Sequence, residues 1–318
     1  MPSIKFNSKN YNISPDQSVL DLLILNNEEV NYFCKSGLCQ SCMMEFNEGT
    51  PPQKSQMGLS EADKLQKKFL PCLCFPEDDI SIKKCNEENK KYPAKILAKE
   101  IINNEIIILK LKKPNNYSFY PGQYLNIYKD NKCLRSYSIA SLCDEKNEIE
   151  LHIKHFFQGE MSNWIFTHLK DGDEINISRA LGNCFFTPEA RNKPLLFLGV
   201  STGVAPLLGI CRQAISANHN EKIHFIQGGK NKNSLYADEF LHNLKLMHNN
   251  FSLFSCCLEN NENNNILKYV EENYLNLENW KVYICGDPNF VDSAKELVFL
   301  QGAHSDDIHS DSFLFINK

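Results

Sequence analysis

The chain lacks any long uninterrupted hydrophobic run. Its longest apolar stretch, residues 195–210, is broken by Gly199, Ser201, Thr202, Gly203 and Pro206. It therefore reads as strand, turn and helix rather than as a membrane span, which needs roughly 20 consecutive apolar residues. The opening Met-Pro-Ser-Ile-Lys-Phe-Asn has none of the apolar core that a secretory signal carries. Charge of one sign is also missing. Lys and Arg number 34 against 39 Asp and Glu, a net charge of −5, and lysines scattered among acids form no stripe for nucleic acid. The nine histidines form no cluster with metal-ligand spacing, and no internal repeat recurs. A transmembrane segment, a secreted context and a nucleic-acid partner are thus not expected. A cytoplasmic chain, monomeric in the simplest case, is.

Cysteine, by contrast, is plentiful: 13 residues in a chain without a secretion signal. In a reducing compartment, clustered thiols bind metal more often than they form disulfides. At 318 residues the chain exceeds one ordinary core and suits two or three domains. Three textures follow one another. The first begins with strand candidates at 3–6 and 11–13, then a short helix opened by Ser14-Pro15-Asp16 and carrying Val19, Leu20, Leu22, Leu23 and Ile24. Residues 83–91 are charged and poor in apolar side chains, as a linker would be. The second texture is a series of short β-runs at 94–101, 105–111, 123–128, 135–139, 149–153 and 174–178, which suggests a barrel or sandwich. After Pro194, strands at 195–198, 223–227, 251–256 and 281–285 alternate with helices at 206–218, 236–248, 265–274 and 290–300, as in a doubly wound α/β domain. The Asn-rich stretch 259–265 reads as a loop.

Cys34, Cys39 and Cys42 stand in the pattern C-x4-C-x2-C, and Cys72 lies 30 positions further on. A close triplet with a distant fourth thiolate is the plant-type ligand pattern of a [2Fe–2S] cluster. Ser36, Gly37 and Ser41 are small enough for the chain to curl and aim backbone N–H groups at sulfur. Two plainer readings use the same residues. A structural zinc site could take Cys39, Cys42, Cys72 and Cys74, or the thiols could simply be buried. Zinc has no need of Cys34 at this spacing. Either Cys72 or Cys74 could serve as fourth ligand, and the length of the gap favours Cys72.

Arg135-Ser136-Tyr137-Ser138 is the second signal. Strand alternation puts Arg135 and Tyr137 on one face and Ser138 on the other. Arginine grips phosphate oxygens in a fork, tyrosine lies against a flat ring, and serine can bond its edge. The tetrapeptide follows Phe119-Tyr120-Pro121-Gly122-Gln123-Tyr124 and precedes Gly159-Glu160-Met161-Ser162. The latter can open a helix whose first N–H groups receive a diphosphate. Residues 195–206 then run from an apolar strand through a small-residue turn into a helix, a geometry that cradles pyrophosphate without the G-x-G-x-x-G fingerprint. Val282-Tyr283-Ile284-Cys285-Gly286-Asp287-Pro288 ends another strand where open α/β sheets hold their ligands.

These segments, in this order, resemble the ferredoxin–NADP reductase superfamily with an added N-terminal plant-type ferredoxin domain. The arrangement is similar to the reductase components of multicomponent oxygenases and to the CDP-6-deoxy-glucoseen reductases. The resemblance implies a multidomain α+β chain: a β-grasp ferredoxin domain at 1–88, a six-stranded antiparallel FAD-binding barrel at 89–191, and a doubly wound NAD(P)-binding domain at 192–318. It implies Cys34, Cys39, Cys42 and Cys72 on the cluster. It also implies Arg135, Tyr137, Ser138, His152, Gly159, Met161 and Ser162 around the flavin, Phe313 over it, and Gly203 at the nucleotide. Ser138, Thr202 and Cys285 would stand at the site of hydride transfer. Electrons would pass from NADH (or NADPH) through FAD and the cluster to a protein acceptor, an oxygenase component or a sugar-dehydrating enzyme. The rival class is a cluster-based sensor or carrier without turnover. Lys35 and Gln40 depart from the family's Arg and Gly in the cysteine loop. Val200 and Ser201 replace glycines, Ser178-Arg179-Ala180-Leu181 replaces most of a Gly-Pro-x-Gly motif, and Asp311 stands for Glu near the end. Lys230 and Lys232 lie where a 2′-phosphate could bind.

Overall fold

The computed structural model describes residues 2–32, 34–37, 40–85, 91–130, 133–143, 147–257 and 265–313. The chain divides into two compact units, Met1–Asn89 and Lys90–Lys318. The first holds strands β1 (Ser3–Phe6), β2 (Lys9–Asn12), β3 (Met44–Glu48), β4 (Lys68–Phe69) and β5 (Ile80–Lys84), with helices α1 (Val19–Leu25) and α2 (Glu61–Leu65). Its sheet runs β2-β1-β5-β3-β4, with β1 and β5 parallel and the other pairs antiparallel. This is the expected β-grasp. Ile4, Phe6, Phe46, Phe69 and Ile82 from the sheet close on Val19, Leu22 and Leu23 of α1.

The start of α1 differs from the sequence expectation. Ser18, not Ser14, is the N-cap: its hydroxyl accepts from the Asp21 N–H at 3.1 Å and donates to the Asp21 carboxylate at 2.7 Å. That reciprocal cap satisfies a first-turn donor that Ser14 is too far upstream to reach. The proposed linker also begins later, because Lys83 and Lys84 belong to β5 and Lys83 pairs with Glu45 at 2.9 Å. Residues 86–90 of that linker, and 259–264 of the Asn-rich loop, lie outside the described residues.

The second unit opens with β6 (Tyr92–Ile102), β7 (Ile106–Lys112), β8 (Tyr124–Tyr128), β9 (Leu134–Ser138), β10 (Glu148–Lys154), helix α3 (Glu160–Thr167) and β11 (Glu174–Ile177). The strand order is β10-β7-β6-β11-β8-β9. An antiparallel bridge between Ile139 and Leu151, with Ala140 N–H donating to Glu150 O at 2.9 Å, brings the two edges together. The six strands therefore close, and alternate residues such as Ile107, Leu109, Leu111, Leu125, Ile127 and Leu151 fill the interior.

Beyond it lie β12 (Leu195–Val200), α4 (Val204–Ser216), β13 (Ile223–Gly229), α5 (Asp238–Met247), β14 (Phe251–Cys257), α6 (Ile266–Asn273), β15 (Lys281–Gly286), α7 (Pro288–Leu300) and β16 (Ile308–Ser312). The five strands are all parallel, in order β14-β13-β12-β15-β16. Leu195 and Phe197 face α4 and α5, while Leu196 and Leu198 face α6 and α7, so helices cover both sides of a buried sheet. Phe197 stacks between Phe225 and Tyr283 at 5.4 and 5.3 Å, contacts worth about 0.5–1.5 kcal/mol each beyond their area. The order of strands reverses between β12 and β15, and the crevice opens at that switch point.

Strand β16 is seated by a buried charge cluster. Lys281, at 2 % exposure, and Lys193 reach the Asp307 carboxylate at 3.2 and 2.7 Å. Burial alone would raise the Asp307 pKa, but the two ammonium groups outweigh it and hold it below the ordinary carboxylate range. A lowered pKa gives stability that is present above the unfolded value and lost as pH falls through the folded one. Asp307→Asn should therefore lower the urea midpoint at pH 7, and the gap to wild type should narrow as the pH drops into the acid range.

Candidate functional site

In the first unit the cysteine loop lies beside α1 and the 3-10 turn Pro71–Leu73. The Cys42 and Cys72 sulfurs are 3.6 Å apart. Two thiolates on one tetrahedral metal at about 2.3 Å each would be about 3.8 Å apart, so this pair fits. Ser36 N–H donates to the Cys34 sulfur at 3.4 Å. Burial, then the crowding of Cys42, raises the Cys72 thiol, while the Gly37 N–H acts the other way. Thiolates that repel one another in this way are relieved by a cation. Cys39 falls outside the described residues, and among the described residues no three His, Cys, Asp or Glu side chains converge on a metal position.

Cys72 and Cys74 pack differently. Cys74 is wholly buried among Ile4, Phe6 and Phe69, its carbonyl accepts from Val19 N–H, and burial pushes its thiol up to about 12. Cys74 faces the apolar core and Cys72 faces Cys42. Gln40, the departure from glycine, adopts φ +54°, the left-handed region that a side chain ordinarily avoids. Its Nε2 donates to Gly58 O at 2.9 Å, anchoring it there. Lys35, also left-handed at +54°, pairs with Asp21 at 2.9 Å.

In the second unit, β9 presents Arg135 and Tyr137 half-buried and Ser138 buried. Burial drives the Tyr137 phenol well above its ordinary pKa, although Arg135 opposes the shift. The ring is therefore a neutral, largely covered surface. Helix α3 begins at Gly159 with no side-chain cap, which leaves its first-turn N–H groups for an external acceptor. The Met161 side chain sits in the barrel core. The Ser162 hydroxyl is engaged with Phe156, accepting from its N–H at 3.1 Å and facing its carbonyl at 3.2 Å. What these two residues can offer a phosphate is backbone. His152 departs further from expectation. Its Nδ1 lies 2.8 Å from the Tyr236 hydroxyl and its Nε2 3.1 Å from Glu150, so the structure gives the ring protein partners rather than an open face.

The crevice is built by a close approach. A Cβ on Gly203 would meet the Cys285 carbonyl at 2.2 Å, so the Ser201–Gly203 turn lies directly on the end of β15. Ser201 takes φ +52°. Thr202 is buried in the turn, and Cys285 is wholly buried beside it. Strand β16 sets Asp311 opposite Cys285, and Asp311 accepts from the Ser138 hydroxyl at 3.0 Å. Residues read separately in sequence thus converge: Ser138 from the barrel, Thr202, Gly203 and Cys285 from the parallel sheet. Phe313 follows β16, its N–H bonded to Gly286 O at 2.8 Å. The residue that sequence reasoning missed is Cys184, a buried thiol beside Cys285. Burial, then the neighbouring Cys184 thiol, raises the Cys285 pKa well above its ordinary value. No motif surrounds Cys184, and only the folded chain brings it there.

Comparison with known proteins agrees with this geometry. Residues 4–77 match the 2Fe-2S iron-sulfur cluster binding domain, 93–186 the oxidoreductase FAD-binding domain and 197–296 the oxidoreductase NAD-binding domain. The three domains together span most of the chain, in the order implied by the resemblance to ferredoxin–NADP reductases with an added ferredoxin domain. The chain is an oxidoreductase that uses NAD(P)H, FAD and a [2Fe–2S] cluster. It is 27 % identical over 314 residues to the reductase component of the naphthalene 1,2-dioxygenase/salicylate 5-hydroxylase systems of a Ralstonia species, spanning 95 % of each chain. It is 26 % identical over 310 residues to the CDP-6-deoxy-L-threo-D-glycero-4-hexulose-3-dehydrase reductase of Yersinia pestis, spanning 93 % of each. The solved Amycolatopsis cytochrome P450 reductase GcoB shares the fold, with TM-score 0.64, 20 % identity and coverage of 98 % of this chain and 99 % of that one. Among the described residues no helix is long and apolar enough to cross a membrane.

Two outcomes test the site. Cys72→Ser should abolish stable iron–sulfur incorporation, whereas Cys74→Ser should fold less stably but still take up iron and sulfide, read by metal analysis and visible circular dichroism. Asp311, half-buried, has its pKa raised by desolvation although Ser138 opposes this. Keeping it ionised therefore costs stability above that pKa and nothing below the unfolded value. Asp311→Asn should raise the melting temperature at pH 8 and leave it unchanged near pH 3.

Proposed function

We propose that this chain is the reductase of an oxygenase system, drawing hydride from NADH and delivering single electrons to a separate oxygenase component. The observation that carries the reading is the convergence of Ser138 and Asp311 with Cys285 where the barrel meets the crevice of the parallel sheet. A flavin ring held on β9 and a nicotinamide held at the carboxyl end of β15 would meet there. Bound FAD would supply the conversion between two-electron chemistry at the nicotinamide and one-electron chemistry at the [2Fe–2S] cluster.

The chain's own residues bind and orient. Arg135 holds the flavin pyrophosphate in a fork, with the backbone N–H groups of Gly159, Met161 and Ser162 at the start of α3 on its other side. Tyr137 packs its neutral ring on the isoalloxazine. Ser138 bonds the reactive edge of that ring, and its bond to Asp311 fixes the hydroxyl's direction. Thr202 and Gly203 receive the nicotinamide nucleotide, and Cys285, neutral because burial raises its thiol, supplies a close apolar wall for the nicotinamide. Phe313 covers the flavin. Cys34, Cys39, Cys42 and Cys72 hold the cluster. A dehydrase of nucleotide-linked deoxyhexulose is the second acceptor class, supported by the full-length likeness to the Yersinia pestis reductase.

Anaerobic mixing with NADH should bleach the flavin band and then reduce the cluster. A spectrum that follows only ambient potential would favour the sensor reading instead. Cys285→Ala should slow flavin reduction by about 10- to 100-fold, with less effect on NADH affinity, as expected for lost alignment. An unchanged rate in stopped-flow would remove Cys285 from the site. Comparing NADH with NADPH settles whether exposed Lys230 and Lys232 select a 2′-phosphate. Turnover with purified oxygenase and dehydrase partners separates the two acceptor classes.

A further inference from the structure

Helix α4 begins immediately after the Ser201–Gly203 turn and lies against the barrel at its seam. A Cβ on Gly209 would stand 2.6 Å from Ile139 O and 3.1 Å from Gly122 N. Those two atoms are themselves hydrogen-bonded at 2.9 Å. The helix thus rests on bare barrel backbone, one residue past Ser138. Three residues along, Arg212 Nη1 donates to Ala140 O at 2.8 Å and to Glu150 Oε1 at 2.8 Å. Its guanidinium also lies 4.6 Å from the centre of the Phe240 ring. Burial would raise the Glu150 pKa, but His152 and Arg212 outweigh it and hold it at about 2. The carboxylate stays charged, and its other partner, His152, reaches on to Tyr236.

We propose that Arg212 is a positioning residue for hydride transfer, locking α4 to the strand end after Ser138 and so fixing the spacing of the two bound rings. The proposal rests on the functional reading above. Arg212 is nine residues beyond Gly203, about 14 Å along a helix rising 1.5 Å per residue, so it acts through the helix and not by touching the nucleotide. The helix carries the nucleotide-binding turn at one end and the latch toward the other. Both latch acceptors, Ala140 O and Glu150, belong to the seam that orients Ser138. Hydride transfer needs the reacting atoms within about 3–3.5 Å, and a displacement of about 1 Å can cost about 100-fold. A small tilt of α4 therefore falls on rate before it falls on affinity.

The test uses the reconstituted holoenzyme with NADH and its 4-deuterated form under anaerobic stopped-flow. Arg212→Met keeps the stem and removes both hydrogen bonds. It should cut the limiting rate of flavin reduction about 10- to 100-fold while the apparent NADH Kd stays within about threefold. The deuterium isotope effect should rise, the Gly122 and Ala140 amides should exchange faster, and Arg212→Lys should recover part of the rate. A wild-type rate in Arg212→Met, or a loss wholly in Kd with an unchanged isotope effect, overturns the proposal. If Arg212→Met fails to fold or to hold flavin, Phe240→Leu and Glu150→Leu, each removing one contact, must show the same split or the proposal falls. Wild type that NADH does not bleach defeats the functional reading and this proposal together. Bleached wild type with an unaffected variant defeats the proposal alone.

Discussion

The Ser138 hydroxyl and the Asp311 carboxylate, 3.0 Å apart, join two sheets that share no strand. Nearly every feature of the second unit is a condition for that contact. The barrel must close so that β9 ends beside β10. Strand β16 must pair in register with β15, which the Lys281–Asp307–Lys193 cluster secures from the opposite end. The Ser201–Gly203 turn must press onto the Cys285 carbonyl, which only a residue without Cβ permits. An ion pair as buried as Lys281–Asp307 is a weak source of net stability. Its effect here is on register, because a slip in β16 would carry Asp311 away from Ser138.

Much of this was legible in the chain. Strands 195–198 and 281–285 appeared as apolar runs because both faces of a parallel sheet are buried. The Arg135–Ser138 segment stood out because phosphate and ring recognition demand unusual neighbours on one strand. Ser14-Pro15-Asp16 imitates a helix cap upstream of α1, whereas the true cap depends on the Ser18–Asp21 exchange. Strands β3 and β5 were not distinguished at all, since 44–48 and 80–84 follow turns and cysteines whose geometry dominates the local pattern. Cys184 could not be inferred, because a contact between residues a hundred positions apart leaves no periodic trace.

The family's missing glycines are answered by local chemistry. Gln40 and Ser201 both take left-handed backbone, a conformation that costs roughly 1–2 kcal/mol for a residue with a side chain. Gln40 offsets that cost with a hydrogen bond to Gly58, and the bond gives the cysteine loop a lateral tie that glycine could not make. Ser201 sits in a turn fixed from below by Gly203 against β15. A departure from a motif therefore relocates a constraint, from the freedom of one residue to a contact with another.

The barrel seam has a wider implication. The bridge that closes the six strands, Ile139 to Leu151, lies beneath the same backbone on which α4 rests and to which Arg212 bonds. Closure of the cylinder and attachment of the α/β layer are made by shared atoms. The two halves are consequently poor building blocks for recombination: grafting a foreign nucleotide-binding half onto this barrel would expose its weakest edge as well as change its cofactor. Lineages that exchange parts in such reductases would find a far easier break after β5, at the boundary between the two compact units.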